Sequence, residues 1–128
     1  MTDRRHVSSG GPWEERAGYS RAIVAGDACF VSGTTDAGPD GRSTHPGDIA
    51  AQADAIFGII ARALEQAGFG IQDIVRTRML VTDLSHAPEL LEVHRRWLGE
   101  FRPAATLLQV AGLIDPSLLV EIEVDARR

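Results

Sequence analysis

The sequence lacks the features that mark secreted and membrane proteins. It contains one cysteine, Cys29, so no disulfide can form within the chain. The polar segment 1–15 has no apolar centre of the kind a signal peptide needs. No apolar stretch approaches the ~20 residues of a membrane-spanning helix. These absences predict a cytoplasmic protein that does not cross a membrane.

Basic runs and metal-binding or nucleotide-binding motifs are also missing. The formal net charge is −5 and consecutive basic residues occur only as pairs, which argues against a nucleic-acid partner. The four histidines have no metal-site spacing, so no metal is expected: His6, His45, His86 and His94. No glycine-rich nucleotide motif and no Gly-x-Ser-x-Gly elbow occurs. We therefore expect no cofactor and no serine-hydrolase chemistry.

What is present is the composition of one folded domain. The chain has 128 residues, of which 44% are hydrophobic and 24% charged, and this balance is typical of a globular protein. Domains most often run about 100–150 residues, so residues 1–128 are predicted to form a single domain.

The first half of the chain predicts a hairpin followed by a helix. Residues 20–25 and 28–32 read as two strands joined by Gly26-Asp27, which suits a two-residue turn. Cys29 lies in the second strand and is expected to be a small buried hydrophobic residue. From Asp48 onward, apolar residues recur every three or four positions, which predicts a helix capped by Asp48 and ended by Gly68.

The second half predicts a strand, a helix and two further strands. Residues 74–83 alternate, with Val75, Thr77, Met79 and Val81 on one face and Ile74, Arg76, Arg78, Leu80 and Thr82 on the other. A helix follows between Ser85 and Pro103, and strands are predicted at 104–111 and 118–125. The order ββ-α-β-α-ββ, with a possible extra strand at 5–9, predicts an α+β fold with one sheet and two helices on one face. The other sheet face would then need a second subunit to cover it.

Five short motifs, in this order along the chain, resemble those of the Rid (YjgF-like, RidA-type reactive intermediate deaminase) family. They are Gly18-Tyr19-Ser20, Phe30-Val31-Ser32-Gly33, Leu80-Val81-Thr82-Asp83-Leu84, Arg102-Pro103-Ala104-Ala105-Thr106 and Leu119-Val120-Glu121-Ile122-Glu123. The resemblance implies a chorismate-mutase-like α+β fold with a single mixed sheet, a homotrimer, and ligand pockets between subunits. It also implies cofactor-free hydrolysis of small enamines or imines. The site residues that it carries over are Tyr19, Ser32, Thr106 and Glu121.

One position departs from the family pattern. The family's substrate-gripping arginine belongs where this chain has Ala105, and Leu107 replaces a nearby small polar or thiol residue. A charge-assisted bidentate pair contributes ~1.5–3 kcal/mol, so its loss implies about 10–100-fold weaker binding of a carboxylate substrate. We therefore expect an apolar pocket wall and a more apolar ligand.

Two residues are candidates for acid–base chemistry. Glu121 is a carboxylate between apolar strand residues, where a raised pKa would suit proton transfer, although it could instead face solvent or form an interfacial salt bridge. His94 lies on the apolar stripe of the second helix, and it could be a catalytic base or a satisfied core histidine. If both residues faced one cavity, they would form an acid–base pair.

Two further residues are candidates for substrate binding. Arg78 is a candidate to supply the positive charge lost at Ala105, and its alternative interpretation is an interface or solvent-facing salt bridge. Tyr19 could stack on a ligand and donate one hydrogen bond, or pack at the start of a strand.

Two functions remain open at this point. The first is a divergent Rid-type enzyme that hydrolyses, tautomerises or cyclises a reactive imine, enamine or related small molecule. The second is a non-catalytic, small-molecule-binding or regulatory trimer that kept the pocket and lost the reaction. A fold hosts many functions, so the site must decide between them.

Overall fold

The computed structural model describes residues 3–128, which contain six strands and three helices. The strands are β1 (Arg4–Val7), β2 (Ala22–Ala25), β3 (Ala28–Thr34), β4 (Ile74–Val81), β5 (Ala104–Gln109) and β6 (Val120–Arg127). The helices are α1 (Pro12–Ala17), α2 (Ile49–Gln66) and α3 (Ala87–Leu98). Short 3-10 turns precede β4 and α3 at Ile71–Asp73 and Leu84–His86.

All six strands form one mixed sheet in the order β1-β2-β3-β6-β4-β5. Only β4 and β5 are parallel, as expected for two strands connected through a helix. The predicted hairpin between β2 and β3 is confirmed, with Gly26 at φ 61° in the left-handed region that its tight turn requires. The possible extra strand is also confirmed, as β1 at the edge beside β2.

The two long helices pack on one face of this sheet, as predicted. The Asp48 side chain accepts a hydrogen bond from Ala51 N at 3.0 Å and so caps α2. Phe57, Ile56 and Ile60 of α2 are fully buried between the helix and the sheet. Helix α2 contacts β3, β6 and α3, so its apolar stripe fills the main core. Within residues 3–128, no helix is long and apolar enough to cross a membrane.

Strand alternation gives the sheet two different faces. The helix face carries Thr77, Met79 and Ile122, all 0–1% exposed. The outer face carries Glu121, opposite Leu80, and Glu123, opposite Arg78. Each central strand therefore contributes side chains to both environments.

The structure corrects the predicted alternation at the start of β4. Ile74 is buried, and Val75, predicted on the same face as Thr77, is 45% exposed, whereas Thr77 is fully buried. The cause is a register shift between Ile74 and Arg76 in the pairing with β6, which acts as a β-bulge and reverses the alternation before Arg76.

A second correction concerns α1, which the sequence pattern did not predict. Six residues are too few to show a helical apolar period, but Pro12 stands at its first turn and Gly18 ends it at φ 78°. The fold thus has a third, short helix in addition to the two on the helix face.

Candidate functional site

A cavity of about 680 Å³ lies where the N-terminal segment, α1, the end of β3 and helix α2 meet. Its wall includes two residues predicted for the site, Tyr19 and Glu121. It also includes Glu14 and Arg21, which the sequence pattern did not single out. The lining combines acidic, basic and aromatic side chains, so the cavity can hold a small molecule with both polar and apolar parts.

Glu121 lies half-buried on the outer face of β6, and Gly33 makes room for it. A Cβ atom at position 33 would overlap Oε2 of Glu121, so a side chain there would displace the carboxylate. Burial raises the pKa of Glu121, the positive charge of Arg21 lowers it, and Glu123 raises it, so the net shift is upward. A carboxyl group with a raised pKa can exchange protons with a bound ligand nearer neutral pH.

Arg21 comes directly before β2 and reaches across to the end of β3. Its Nη2 donates a hydrogen bond to the carbonyl oxygen of Gly33 at 2.6 Å. Its guanidinium carbon lies 5.8 Å from the centre of the Tyr19 ring. The Arg21 guanidinium is therefore held next to Gly33, the residue whose lack of a side chain makes room for the Glu121 carboxylate.

Glu14 is the second carboxylate of the cavity, and its environment differs from that of Glu121. It is 6% exposed, and both its oxygens accept hydrogen bonds from Ser9. Burial raises the pKa of Glu14, but hydrogen bonds from Ser9 and Ser8 and the charge of Arg21 outweigh it, so the net shift is downward. One cavity thus holds a carboxyl group that favours ionisation and another that resists it.

Tyr19 and Ser32 lie in adjacent segments but have different surroundings. Tyr19 is 41% exposed and lines the cavity directly after the turn at Gly18. Ser32 is not among the lining residues, and its hydroxyl donates to Ser20 O at 2.7 Å. This bond ties β3 to the residue after Tyr19, so Ser32 holds the backbone that presents the phenol.

His94 lies on the opposite side of the sheet from Glu121. Its Nε2 is 2.9 Å from the hydroxyl oxygen of Thr77 on the helix face, and its ring packs edge-on against Phe57 with centroids 5.9 Å apart. Burial lowers the pKa of His94. These contacts are those of a satisfied core histidine. Within one chain, His94 and Glu121 do not face a common cavity, so the condition for an acid–base pair between them is not met there.

The residues of β5 are also divided between the two faces. Ala105 pairs with Thr77 and Leu107 with Met79, which places both on the helix-face side at the sheet edge. Thr106 pairs with Arg78 and therefore lies on the outer face. The apolar wall predicted from Ala105 and Leu107 does not face Glu121 of the same chain.

Arg78 forms the salt bridge that was its alternative interpretation. Its Nη1 lies 3.2 Å from Glu123 Oε1 and 3.6 Å from Asp125 Oδ2. Arg78 is not among the cavity-lining residues, whereas Arg21 is. The sequence signal for Arg21 was its position two residues after Tyr19, close to the first motif.

The described part of the chain contains no group of three or more His, Cys, Asp or Glu side chains placed to hold a metal ion. Cys29 is fully buried, and burial raises the pKa of its thiol. A buried thiol with a raised pKa is a packing residue, as predicted, rather than a nucleophile.

Comparison with known proteins gives a consistent family assignment. A protein-family model described as Endoribonuclease L-PSP matches residues 13–128. An uncharacterized protein of Streptomyces coelicolor is 38% identical over 124 residues, covering 97% of this chain and 92% of that protein. The 2-iminobutanoate/2-iminopropanoate deaminase of Rattus norvegicus is 28% identical over 105 residues, covering 82% of this chain and 76% of that enzyme.

A solved structure gives the same result for the fold. Rv2704 of Mycobacterium tuberculosis, described as a member of the YjgF/YER057c/UK114 family, matches with a TM-score of 0.90 at 44% identity. The match covers 98% of this chain and 100% of that one. The resemblance inferred from the five motifs and the single mixed sheet of this fold are both confirmed. The chain belongs to the Endoribonuclease L-PSP family, whose members are also named YjgF and RutC proteins.

Proposed function

We propose that this protein catalyses the hydrolysis of a small imine or enamine, with Glu121 as the acid–base group in a pocket completed by a neighbouring subunit of a homotrimer. The observation that carries the proposal is the carboxyl group of Glu121, which lines the cavity and has a raised pKa. The similarity to a deaminase of 2-imino acids supports this reaction class.

The reaction needs only proton transfers and water. The protonated carboxyl group of Glu121 gives its proton to the imine nitrogen, which makes the carbon more electrophilic. Water then adds to that carbon, and the carboxylate takes up the proton that the water releases. Collapse of the resulting carbinolamine breaks the C–N bond and releases ammonia and a carbonyl compound. An enamine enters the same sequence after Glu121 protonates its carbon.

The division of residues between the two sheet faces supports a pocket shared by two subunits. Glu121 lies on the outer face, whereas Ala105 and Leu107 lie on the helix-face side. Neither Ala105 nor Leu107 lines the cavity of its own chain, where Glu121 lies. If Ala105 and Leu107 are to meet the ligand of Glu121, they must come from a second copy of the chain.

Exposed apolar side chains on the outer face support the same assembly. Phe30 is 45% exposed, and Leu108 is 48% exposed. Large apolar groups on one sheet face are commonly covered in symmetric oligomers. A homotrimer would cover this face and bring the edge strand of one subunit toward the cavity of the next.

RNA cleavage is the reaction named in the description of the family model, but the charge of this chain does not favour it. RNA binding depends mainly on neutralising phosphates with Lys and Arg side chains. The chain has a net charge of −5, and its consecutive basic residues occur only as pairs. We therefore propose a small molecule as the ligand.

The test is imine turnover by the parent protein and by Glu121→Gln. An amino-acid oxidase generates the imine in place, and semicarbazide traps what remains, so a faster hydrolysis lowers the semicarbazone yield. We expect Glu121→Gln to lower kcat/KM by about 10²–10⁴-fold, the usual contribution of a general acid–base group. Product analysis by NMR separates hydrolysis from tautomerisation or cyclisation.

Two outcomes would contradict the enzyme. Equal turnover by Glu121→Gln would remove the role of the carboxylate. Ligand binding without any turnover would favour the non-catalytic binding trimer, which the missing arginine at position 105 also supports. Analytical ultracentrifugation tests the assembly separately, and a monomer at all concentrations would contradict the shared pocket.

A further inference from the structure

Arg21 differs from Arg78 and Arg127, two other arginines of the outer face, in forming no ion pair. Arg78 forms ion pairs with two carboxylates and Arg127 pairs with Asp27. Arg21 takes part in none of the ion pairs found among residues 3–128. Its Nε atom is buried and has no hydrogen-bond partner within that described range.

This arrangement leaves a fixed positive charge on the wall of a cavity. The bond from Nη2 to Gly33 O holds the guanidinium in place, and the Tyr19 ring lies beside it. Nη1 of Arg21 forms no hydrogen bond within residues 3–128 and, unlike Nε, is not among the buried atoms, so an anion in the cavity can accept a hydrogen bond from it and pair with its charge. Arg21 is also close enough to influence the ionisation of both Glu14 and Glu121.

We infer that Arg21 binds the carboxylate of an anionic ligand and so places the reacting carbon of that ligand at Glu121. The inference rests on the proposed function, and it names the substrate class as 2-imino acids with an apolar side chain. The apolar part has its own surface, because Trp13, Ile59 and Ile114 line the same cavity. The ligand is therefore amphipathic, and the missing arginine at position 105 does not imply an uncharged substrate.

The chemistry of a guanidinium group gives Arg21 a different role from that of Glu121. A guanidinium stays protonated throughout the physiological range and offers several N–H donors in a planar fork that matches a carboxylate. It can therefore hold a ligand by its carboxylate without taking part in proton transfer. Arg21 is a substrate-binding residue, and the proton transfers remain with Glu121.

Binding of an unreactive anion tests this inference independently of turnover. The probe is 2-oxobutanoate, a 2-oxo acid of the kind that imine hydrolysis would release, and its methyl ester is the uncharged analogue. Isothermal titration calorimetry is performed on the full chain. We expect the ester to bind the parent protein about 10–100-fold more weakly than the anion, because it lacks the charge-assisted pair.

Variants of Arg21 locate the effect. Arg21→Gln is expected to weaken binding of the anion by about 10–100-fold and to change binding of the ester little. Arg21→Lys keeps the charge but loses the planar fork, so its affinity for the anion should fall between the two. The matched control is Arg96→Gln, which removes one exposed positive charge from α3, outside the cavity lining, and should bind the anion as the parent does.

Three results would overturn the inference: an Arg21→Gln protein that binds the anion as tightly as the parent, a parent that binds ester and anion equally, or a parent that binds no anion. If Arg21→Gln does not fold, the comparison of anion and ester in the parent, together with Arg21→Lys, still decides. The outcome is separate from that of the proposed function. Arg21-dependent anion binding without turnover would contradict the proposed catalysis and support carboxylate binding by Arg21. Turnover abolished by Glu121→Gln with a KM unaffected by Arg21→Gln would do the reverse.

Discussion

The two faces of the sheet are built from the same strands but have opposite character. On the helix face, Thr77 and Met79 alternate along β4 under two helices, and the hydroxyl of Thr77 has a histidine partner. On the outer face, Glu121 and Arg78 lie half-buried beside exposed apolar groups, and a cavity opens at the end of β3. The first face is closed by packing within one chain. The second face presents charged side chains and a cavity that the chain itself does not fill.

This difference shows where function can reside in such a fold. Side chains on the helix face are closely packed, so a substitution there mainly changes the stability of the fold. The outer face carries Arg21, which forms no ion pair among residues 3–128, and Glu121, whose pKa is raised. A substitution there is therefore expected to change ligand binding or subunit assembly. Because successive side chains of a strand point to opposite faces, neighbouring residues can differ in role: Glu121 faces the cavity and Ile122 packs in the core.

The largest expected effect is a loss of stability on truncating a large side chain of the helix-face core. Phe57 is fully buried and stacks on Trp97 with ring centroids 5.8 Å apart. We expect Phe57→Ala to lower the free energy of unfolding by about 3–5 kcal/mol, because it leaves a cavity in a packed core. Urea unfolding monitored by circular dichroism measures it.

The matched variant on the outer face is Phe30→Ala. Phe30 is 45% exposed in the single chain, so its truncation should cost little at low protein concentration, within about 0.5 kcal/mol. It should instead weaken self-association in sedimentation experiments. Equal losses of stability for both variants at every protein concentration would break the contrast between the two faces.

A smaller effect is expected from His94, and it separates the structural from the catalytic role of this residue. His94→Ala leaves the Thr77 hydroxyl buried without a partner, which costs about 1–3 kcal/mol. The variant Thr77→Val removes that orphaned hydroxyl, so the cost of His94→Ala should shrink in the double variant. Imine turnover, measured well below the melting temperature, should stay at the parent level. A large loss of kcat with unchanged stability would instead indicate that His94 has a catalytic role.

The comparison of faces also explains how much of the fold could be predicted. Period-2 and period-3.6 patterns located α2, β4 and α3, because burial on one side imposes those periods. The bulge between Ile74 and Arg76 could not be predicted, because the local pattern was equally consistent with regular alternation. Helix α1 was missed because six residues are too short for a period, and only Pro12 and Gly18 marked its ends.

The candidate site could be predicted only in part, and for a physical reason. Tyr19 and Glu121 were found through motifs, and both line the cavity. Arg21 and Glu14 were missed because their positions depend on where α1 and the end of β3 meet in space. His94 and Glu121 do not share a cavity within one chain, because residues close to the same strands can lie on opposite faces of the sheet.

The smallest expected effect is a pair of opposite pH dependences, one from each face. Burial lowers the pKa of His94 below its ordinary value of 6.5, so the folded protein holds this proton less tightly than the unfolded chain. His94 therefore contributes a loss of stability as pH falls below 6.5. The net upward shift of the pKa of Glu121 from 4.5 means that the folded protein holds that proton more tightly. Glu121 therefore contributes a loss of stability as pH rises above 4.5.

Urea unfolding measured between pH 4 and 8 tests both signs. The isosteric variants Glu121→Gln and His94→Gln should each reduce the slope of the unfolding free energy against pH, above pH 4.5 for Glu121 and below pH 6.5 for His94. The Glu121 contribution is reduced by solvent screening at this half-buried position. Slopes of the same sign would mean that the two groups do not experience the separate environments of the two faces.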